Sequence, residues 1–207
     1  MTRVVAAFDF DGTLTRRDTL APFLVRSHGS ARVAGAVLRH GPTLASAALG
    51  RGDRDRAKAE LLHTLYADTD VAIAAGLGQQ YATQVLARRM RNDTLARLEW
   101  HRREGHELLL ITASLALYAE PIAERLGIPT VFATRLAQTG GVFSGALDGA
   151  NMRGPEKARV LDEHLAGSDA VVWAYGDSAG DRELLARADH GILVKGVHVP
   201  AAPATDR

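Results

Sequence analysis

The sequence has no cysteine, which excludes a disulfide framework and thiol chemistry from whatever the chain does. That usage suits a reducing compartment, so a cytoplasmic location is expected. Long apolar runs are missing too. The first, VVAAF at 4–8, is cut off by Asp9 and is too short for a signal-peptide core or a membrane span. Neither sign of charge is in excess: 25 lysines and arginines face 24 acids, a formal net charge of +1. No field for a polyanion is advertised, and nucleic acid is not an expected partner. Internal repeats and low-complexity segments are absent, and the eight histidines show no metal-ligand spacing, which reads them as surface or core residues.

What is present is alternation. The 207 residues can bury a sizeable core and fit one domain, or one domain with an inserted lobe. Short apolar runs at 4–8, 107–112 (ELLLIT), 130–133 (TVFA), 170–175 (AVVWAY) and 191–194 (GILV) predict strands buried on both faces. Helical patterns lie between them at 93–104, 117–126, 156–165 and 181–188. Strands alternating with helices predict an α/β fold, with right-handed crossovers, a parallel sheet covered on both faces, and ligands at the carboxyl ends of its strands. Residues 19–90 break the alternation, being rich in alanine and leucine and poor in strands. They predict an inserted α-helical cap that excludes water from the strand ends, with 1–18 and 91–207 as the α/β core. RLAQTGGVFSGALDG at 135–149 predicts a hairpin about Gly140 and Gly141, and the tail after Gly196 is expected to be disordered.

Polar residues collect where the predicted strands end. Asp9 and Asp11 follow the first run in DFDGTLT, with Gly12 turning the chain. Carboxylates so close repel unless one stays protonated or a hard cation such as Mg²⁺ lies near, although a turn with a capping Asp accounts for the same letters. In ITAS, Thr112, Ala113 and Ser114 offer hydroxyl and backbone N–H groups to an anion, or simply cap a helix. GPEK puts Lys157 in a helix's first turn, against the helix dipole, where a bound phosphate or plain solvent would accommodate it. In YGDSAGD, one of Asp177 and Asp181 can ligate Mg²⁺ while the other holds its waters, or the two form a turn and a cap.

Taken together the four sites make a phosphoryl-transfer apparatus, where positioning and charge neutralisation provide most of the catalysis. The expected roles are Asp9 as nucleophile forming an aspartyl-phosphate and Asp11 as general acid and then base. Thr112, with backbone groups at Gly12, Ala113 and Ser114, would hold phosphoryl oxygens, and Lys157 would offset their charge. Asp9, Asp11, Asp177 and Asp181 are the candidate Mg²⁺ set. The expected partner is a small-molecule phosphate ester. A phospho-accepting receiver module also uses a strand-end Asp and a Lys, but has little need of Asp11, Asp181 or an inserted lobe.

The ordered set DFDGTLT, LLLITAS, GPEK and YGDSAGD resembles the four motifs of the haloacid dehalogenase-like superfamily, over about residues 5–196, and within it phosphatases similar to phosphoserine phosphatase. The resemblance implies a Rossmann-like core, a helical cap after the first motif, Mg²⁺ dependence and phosphomonoester hydrolysis. It places Asp9, Asp11, Thr112, Lys157, Asp177 and Asp181 in the roles above; dehalogenase relatives lack a carboxylate where Asp11 stands. Phosphoserine phosphatases carry SGG and GDGAND where this chain has TAS and GDSAGD. They also grip the substrate's amino and carboxylate groups with an acid shortly after the first motif and a cap arginine. Asp18 has a comparable position for substrate binding, while Arg54 and Arg56 stand in RGDRDRAKAE, whose mixed charges read as a solvated helix face. A related branch, acting on phospholipid head groups such as phosphatidylglycerophosphate, is the alternative. The apolar segment 31–52 suits shallow membrane contact, but Arg39, His40 and Pro42 interrupt any span, and packing inside the cap accounts for it.

Overall fold

The computed structural model describes residues 2–194 and Val199, so the tail expected to be disordered lies, Val199 apart, outside the described residues. The described residues include six strands: β1 Val4–Phe8, β2 Glu107–Leu115, β3 Thr130–Thr139, β4 Val142–Asp148, β5 Val171–Gly176 and β6 His190–Leu193. They form one sheet in the order β4-β3-β2-β1-β5-β6. β1 is central, parallel to β2 and to β5. Its residues are apolar without alternation because both of its sides are covered. Val5 and Ala7 join a core with α8 (Pro155–Leu165) and α9 (Arg182–Arg187). Ala6 and Phe8 join the larger core on the other face, with α6 (Asn92–Arg103) and α7 (Ala116–Arg125).

Three details depart from the expected arrangement. The hairpin expected about Gly140 and Gly141 is not separate from the parallel strands: β4, antiparallel to β3, forms one edge of the same sheet. The two are joined through Gly140 and Gly141, both at positive φ, and so tight a connection can only reverse the chain. β3 is therefore one strand with two partners: its first half pairs with β2 and its second with β4. Next, β2 continues beyond Thr112, with a break in register before Leu115 that takes Ala113 and Ser114 out of regular pairing. Finally, the helix expected over 181–188 begins as a tight turn, Ala179–Asp181, because the Ser178 hydroxyl accepts the Gly180 N–H at 3.2 Å while the Asp181 carboxylate bends back to the Ser178 N–H at 3.0 Å.

Between β1 and α6 the chain forms five helices: α1 Leu20–His28, α2 Ser30–Arg39, α3 Gly41–Ala48, α4 Arg54–Tyr66 and α5 Val71–Arg88. It leaves and returns at one neck, where the Arg16 N–H donates to the Arg89 carbonyl at 2.8 Å and the Arg91 N–H to the Leu14 carbonyl at 2.9 Å. Asp53 starts α4 by accepting from the N–H groups of Asp55 and Arg56, and Asp70 starts α5 by accepting from Ile73. α5 packs on α7 and α4 packs on β4. Among the described residues no helix is long and apolar enough to cross a membrane.

Candidate active site

β1 delivers Asp9 to the carboxyl end of the central strand. Its N–H still donates to the Tyr175 carbonyl at 2.9 Å, and the wide turn Phe10–Leu14 then carries the chain away. The turn needs Gly12, at φ +78°, where a Cβ would overlap a carboxylate oxygen of Asp177. Buried Asp9 accepts from Lys157 Nζ at 2.5 Å and from Thr13 Oγ1 at 3.2 Å. Lys157, 2% exposed, enters on the first turn of α8 behind Gly154 and also donates to Asp181 at 2.6 Å. Its position against the helix dipole is offset by these two carboxylates. The other oxygen of Asp181 accepts from the N–H groups of Asp177 and Ser178 and from the Ser178 hydroxyl, which pins the loop that carries Asp177.

Burial pushes Asp9 up to about 7 against the opposing pull of Lys157. Burial alone would lower Lys157, but the charges of Asp9 and Asp181 outweigh it and hold the lysine above its usual range, so it keeps its proton. One carboxylate oxygen from each of Asp9, Asp177 and Asp181 lies within 4.8 Å of the others. Three hard oxygen donors converging on a spot kept open by a glycine fit a divalent cation such as Mg²⁺, which prefers few carboxylates and several waters. Asp11 is not in that group. Its carboxylate accepts from Thr19, through N–H at 2.8 Å and Oγ1 at 2.6 Å, and from Ser114 Oγ at 2.6 Å. Burial pushes Asp11 up to about 6, although its bonds to Ser114 and Thr19 work the other way.

The remaining expected residues are placed as follows. Thr112 is buried and its Oγ1 accepts the Ser114 N–H at 3.0 Å, leaving its own proton for another acceptor. The Gly12 N–H turns to Thr15 Oγ1 at 3.3 Å. Asp18 is exposed and accepts the Ala21 N–H, while also lining a cavity of about 190 Å³ with Asp11 and Ser114. Arg54 lines that cavity as well, whereas Arg56 pairs with Glu60 on the outer face of α4. A larger groove of about 720 Å³ between α5, α7 and the β3–β4 hairpin is lined by none of the four aspartates.

Sequence reasoning missed Lys58 and Asn151. Lys58, on α4, donates to the Ala113 carbonyl at 2.5 Å and to Asn151 Oδ1 at 2.6 Å, beside Asp11 in the small cavity. In RGDRDRAKAE it was indistinguishable from its solvated neighbours, since a helix face turned to solvent and one turned to a site have the same spacing. Asn151 stands outside every motif.

A family model described as haloacid dehalogenase-like hydrolase matches residues 6–186. The chain belongs to the haloacid dehalogenase-like hydrolases. It is thus an enzyme of a hydrolase family, and its relatives include proteins named phosphoserine phosphatase. The hydrolase is similar to protein CicA of Caulobacter vibrioides, with 34% identity over 187 residues, 90% of this chain and 83% of that one. It is 29% identical over 119 residues to phosphoserine phosphatase SerB1 of Mycobacterium tuberculosis, a match that spans 56% of this chain and 38% of that protein. Among solved structures, a Bordetella pertussis protein of unknown function matches with a TM-score of 0.77 at 25% identity, covering 90% of this chain and 87% of that one. A phospho-aspartyl intermediate analogue of phosphoserine phosphatase matches the fold with a TM-score of 0.63 at 19% identity, over 91% and 84% of the two chains.

Proposed function

We propose that this hydrolase is a Mg²⁺-dependent phosphomonoester phosphatase that works through an aspartyl-phosphate on Asp9, with a small phosphorylated metabolite of the phosphoserine kind as substrate. One observation carries the reading. Two carboxylates from one turn are held in opposite surroundings, Asp9 against Lys157 and the Asp177–Asp181 loop, and Asp11 against Thr19 and Ser114. The ammonium of Lys157, and a cation beside Asp177 and Asp181, favour the ionised, nucleophilic form of Asp9, whereas Asp11 lies away from both among hydroxyls and can carry the proton.

In the proposed reaction an oxygen of Asp9 attacks phosphorus as the ester P–O bond breaks, and Asp11 gives its proton to the leaving alkoxide. Asp11, now ionised, takes a proton from a water that attacks the aspartyl-phosphate, which releases inorganic phosphate and regenerates both groups. Lys157 orients Asp9 and offsets charge gathering on the phosphoryl oxygens, while the Thr112 hydroxyl and the backbone at Ala113 and Ser114 border the place those oxygens occupy. Asp9, Asp177 and Asp181 would hold Mg²⁺, which when bound supplies charge neutralisation and aligns nucleophile with phosphate. In this reading residues 19–90 form a cap whose lobe excludes water from a core made of 1–18 and 91–207. The small polar cavity beside Asp11 suits a compact leaving group.

Hydrolysis of p-nitrophenyl phosphate tests this. Turnover is expected to require Mg²⁺, to stop on chelation, and to fall by about a thousandfold or more in Asp9→Asn, the scale seen when a nucleophile is removed. Metal-independent turnover, or an Asp9→Asn variant as active as the parent, contradicts the reading.

A further inference from the structure

A helix at a protein surface turns its apolar stripe inward and shows polar residues to water. Helices α2 and α3 do not. The apolar segment 31–52, expected to be taken up in packing, has only Ala36 of α2 and Ala47 of α3 buried within these helices. Such small residues let both helices rest on α4 and leave most of the apolar surface outside. The exposed positions include Ala31, Ala34 and Leu38 on α2, and Pro42 and Ala45 on α3 with Leu49 at its end. Both sets have the spacing i, i+3, i+7, so each is a stripe along one side of its helix. Leu38 is 80% exposed and Leu49 70%.

The charge around the stripes has one sign. From Leu20 to Gly52 the chain carries four arginines, Arg26, Arg32, Arg39 and Arg51, and no acid. Arg26 donates to Gln80 Oε1 and Arg32 to the Leu65 carbonyl, both neutral acceptors, and none of the four forms an ion pair among the described residues. The acids of α4 and its cap are engaged elsewhere: Asp53 caps the helix, Asp55 accepts from Asn151, and Glu60 lies between Arg56 and His40. A second copy of this face would set its arginines against their own equivalents, which opposes a symmetric dimer. An anionic bilayer offers the opposite charge. Its headgroup boundary also accepts a shallow apolar stripe, with arginine stems lying along it and their heads among the phosphates.

We propose that α2 and α3 form a docking surface for an anionic phospholipid bilayer, in which Leu38 and Leu49 enter the headgroup boundary and Arg39 and Arg51 meet lipid phosphates. The inference goes beyond the phosphatase reading and does not depend on it.

Flotation of the full chain with vesicles tests this, comparing phosphatidylcholine alone with equal parts phosphatidylcholine and phosphatidylglycerol. Binding is expected on the mixed vesicles, to weaken as salt is raised, and to be slight on phosphatidylcholine alone. Leu38→Ser with Leu49→Ser should weaken binding to the mixed vesicles about tenfold, and Arg39→Gln with Arg51→Gln by about as much. Leu38→Trp should retain binding and report entry directly, through a blue shift of its fluorescence on the mixed vesicles. A chain that binds neither vesicle, that binds both equally, or whose binding survives both double substitutions overturns the proposal. So does a parent that sediments as a dimer while the Leu38→Ser, Leu49→Ser variant sediments as a monomer, because the face would then be a contact between copies.

Discussion

Asp9 and Asp11 leave the same short turn, yet one ends against an ammonium and the other against two hydroxyls. That difference gives Asp11 a prediction of its own. A proton is worth most to a poor leaving group, so Asp11→Asn should slow hydrolysis of glycerol phosphate by about 10²–10⁴ while slowing p-nitrophenyl phosphate far less, since nitrophenolate departs unaided. The raised value, near 6, keeps Asp11 protonated further up the pH scale than an ordinary carboxyl. With Mg²⁺ at saturation keeping Asp9 ionised, kcat/KM for the alkyl ester should therefore fall as pH rises through about 6, and this limb should vanish in the Asn variant. Stopped assays across pH check it; equal loss on both esters would remove the acid role. Asp9, Asp11 and Lys157 were legible in the sequence because each breaks a local rule: paired carboxylates at a strand mouth, and a cation against a helix dipole. Lys58 breaks none, and only the fold distinguishes it from Arg56.

At the scale of elements, the turns on the carboxyl side of β1, β2 and β5 supply the site, and glycines set how closely they approach. A Cβ on Gly176 would run into the Asp181 side chain, as one on Gly12 would into Asp177. Gly78 does the same for the α5–α7 contact, where a Cβ would overlap the Leu117 carbonyl, part of a backbone that cannot rotate aside. Gly78→Ala should thus destabilise the fold by about 1–3 kcal/mol, the usual cost of overpacking, despite alanine's better helix propensity. A urea titration reads this directly; an unchanged or higher midpoint would mean that the two helices separate at no cost. The strands themselves were legible from their unbroken apolar runs, which only double-sided burial explains. The continuity of β3 into the hairpin was not, because one strand that changes partners leaves the same letters as two strands. Nor was the register break in β2, since ITAS reads alike as the end of a strand or the start of a helix.

Across the whole molecule, the sheet's larger core carries a buried histidine whose charge state couples to folding. His101 has no exposed surface, and its ring nitrogens meet the Tyr175 hydroxyl and His106 at 2.8 Å each. Burial, with His106 and Arg97 adding to it, lowers His101 from 6.5 to about 3, so the native state holds it neutral. The unfolded chain takes up a proton below pH 6.5 that the native state refuses. Stability present above 6.5 is then lost as pH falls toward 3, by about 1.4 kcal/mol per pH unit for this one group. His101→Gln should reduce the slope of unfolding free energy against pH by about that amount between pH 6 and 4; an unaltered slope would mean that other groups drive the acid limb. At this scale the order of strands and helices was legible in the sequence, but the faces that helices α1 to α5 turn to the sheet were not, because tertiary packing sets them. The most direct test of the central claim is peptide mass spectrometry after acid quench during turnover. One phosphoryl increment is expected on the peptide containing Asp9, and it should be lost in Asp9→Asn. An increment on another residue, or sustained turnover with Asp9 never modified, would contradict the account.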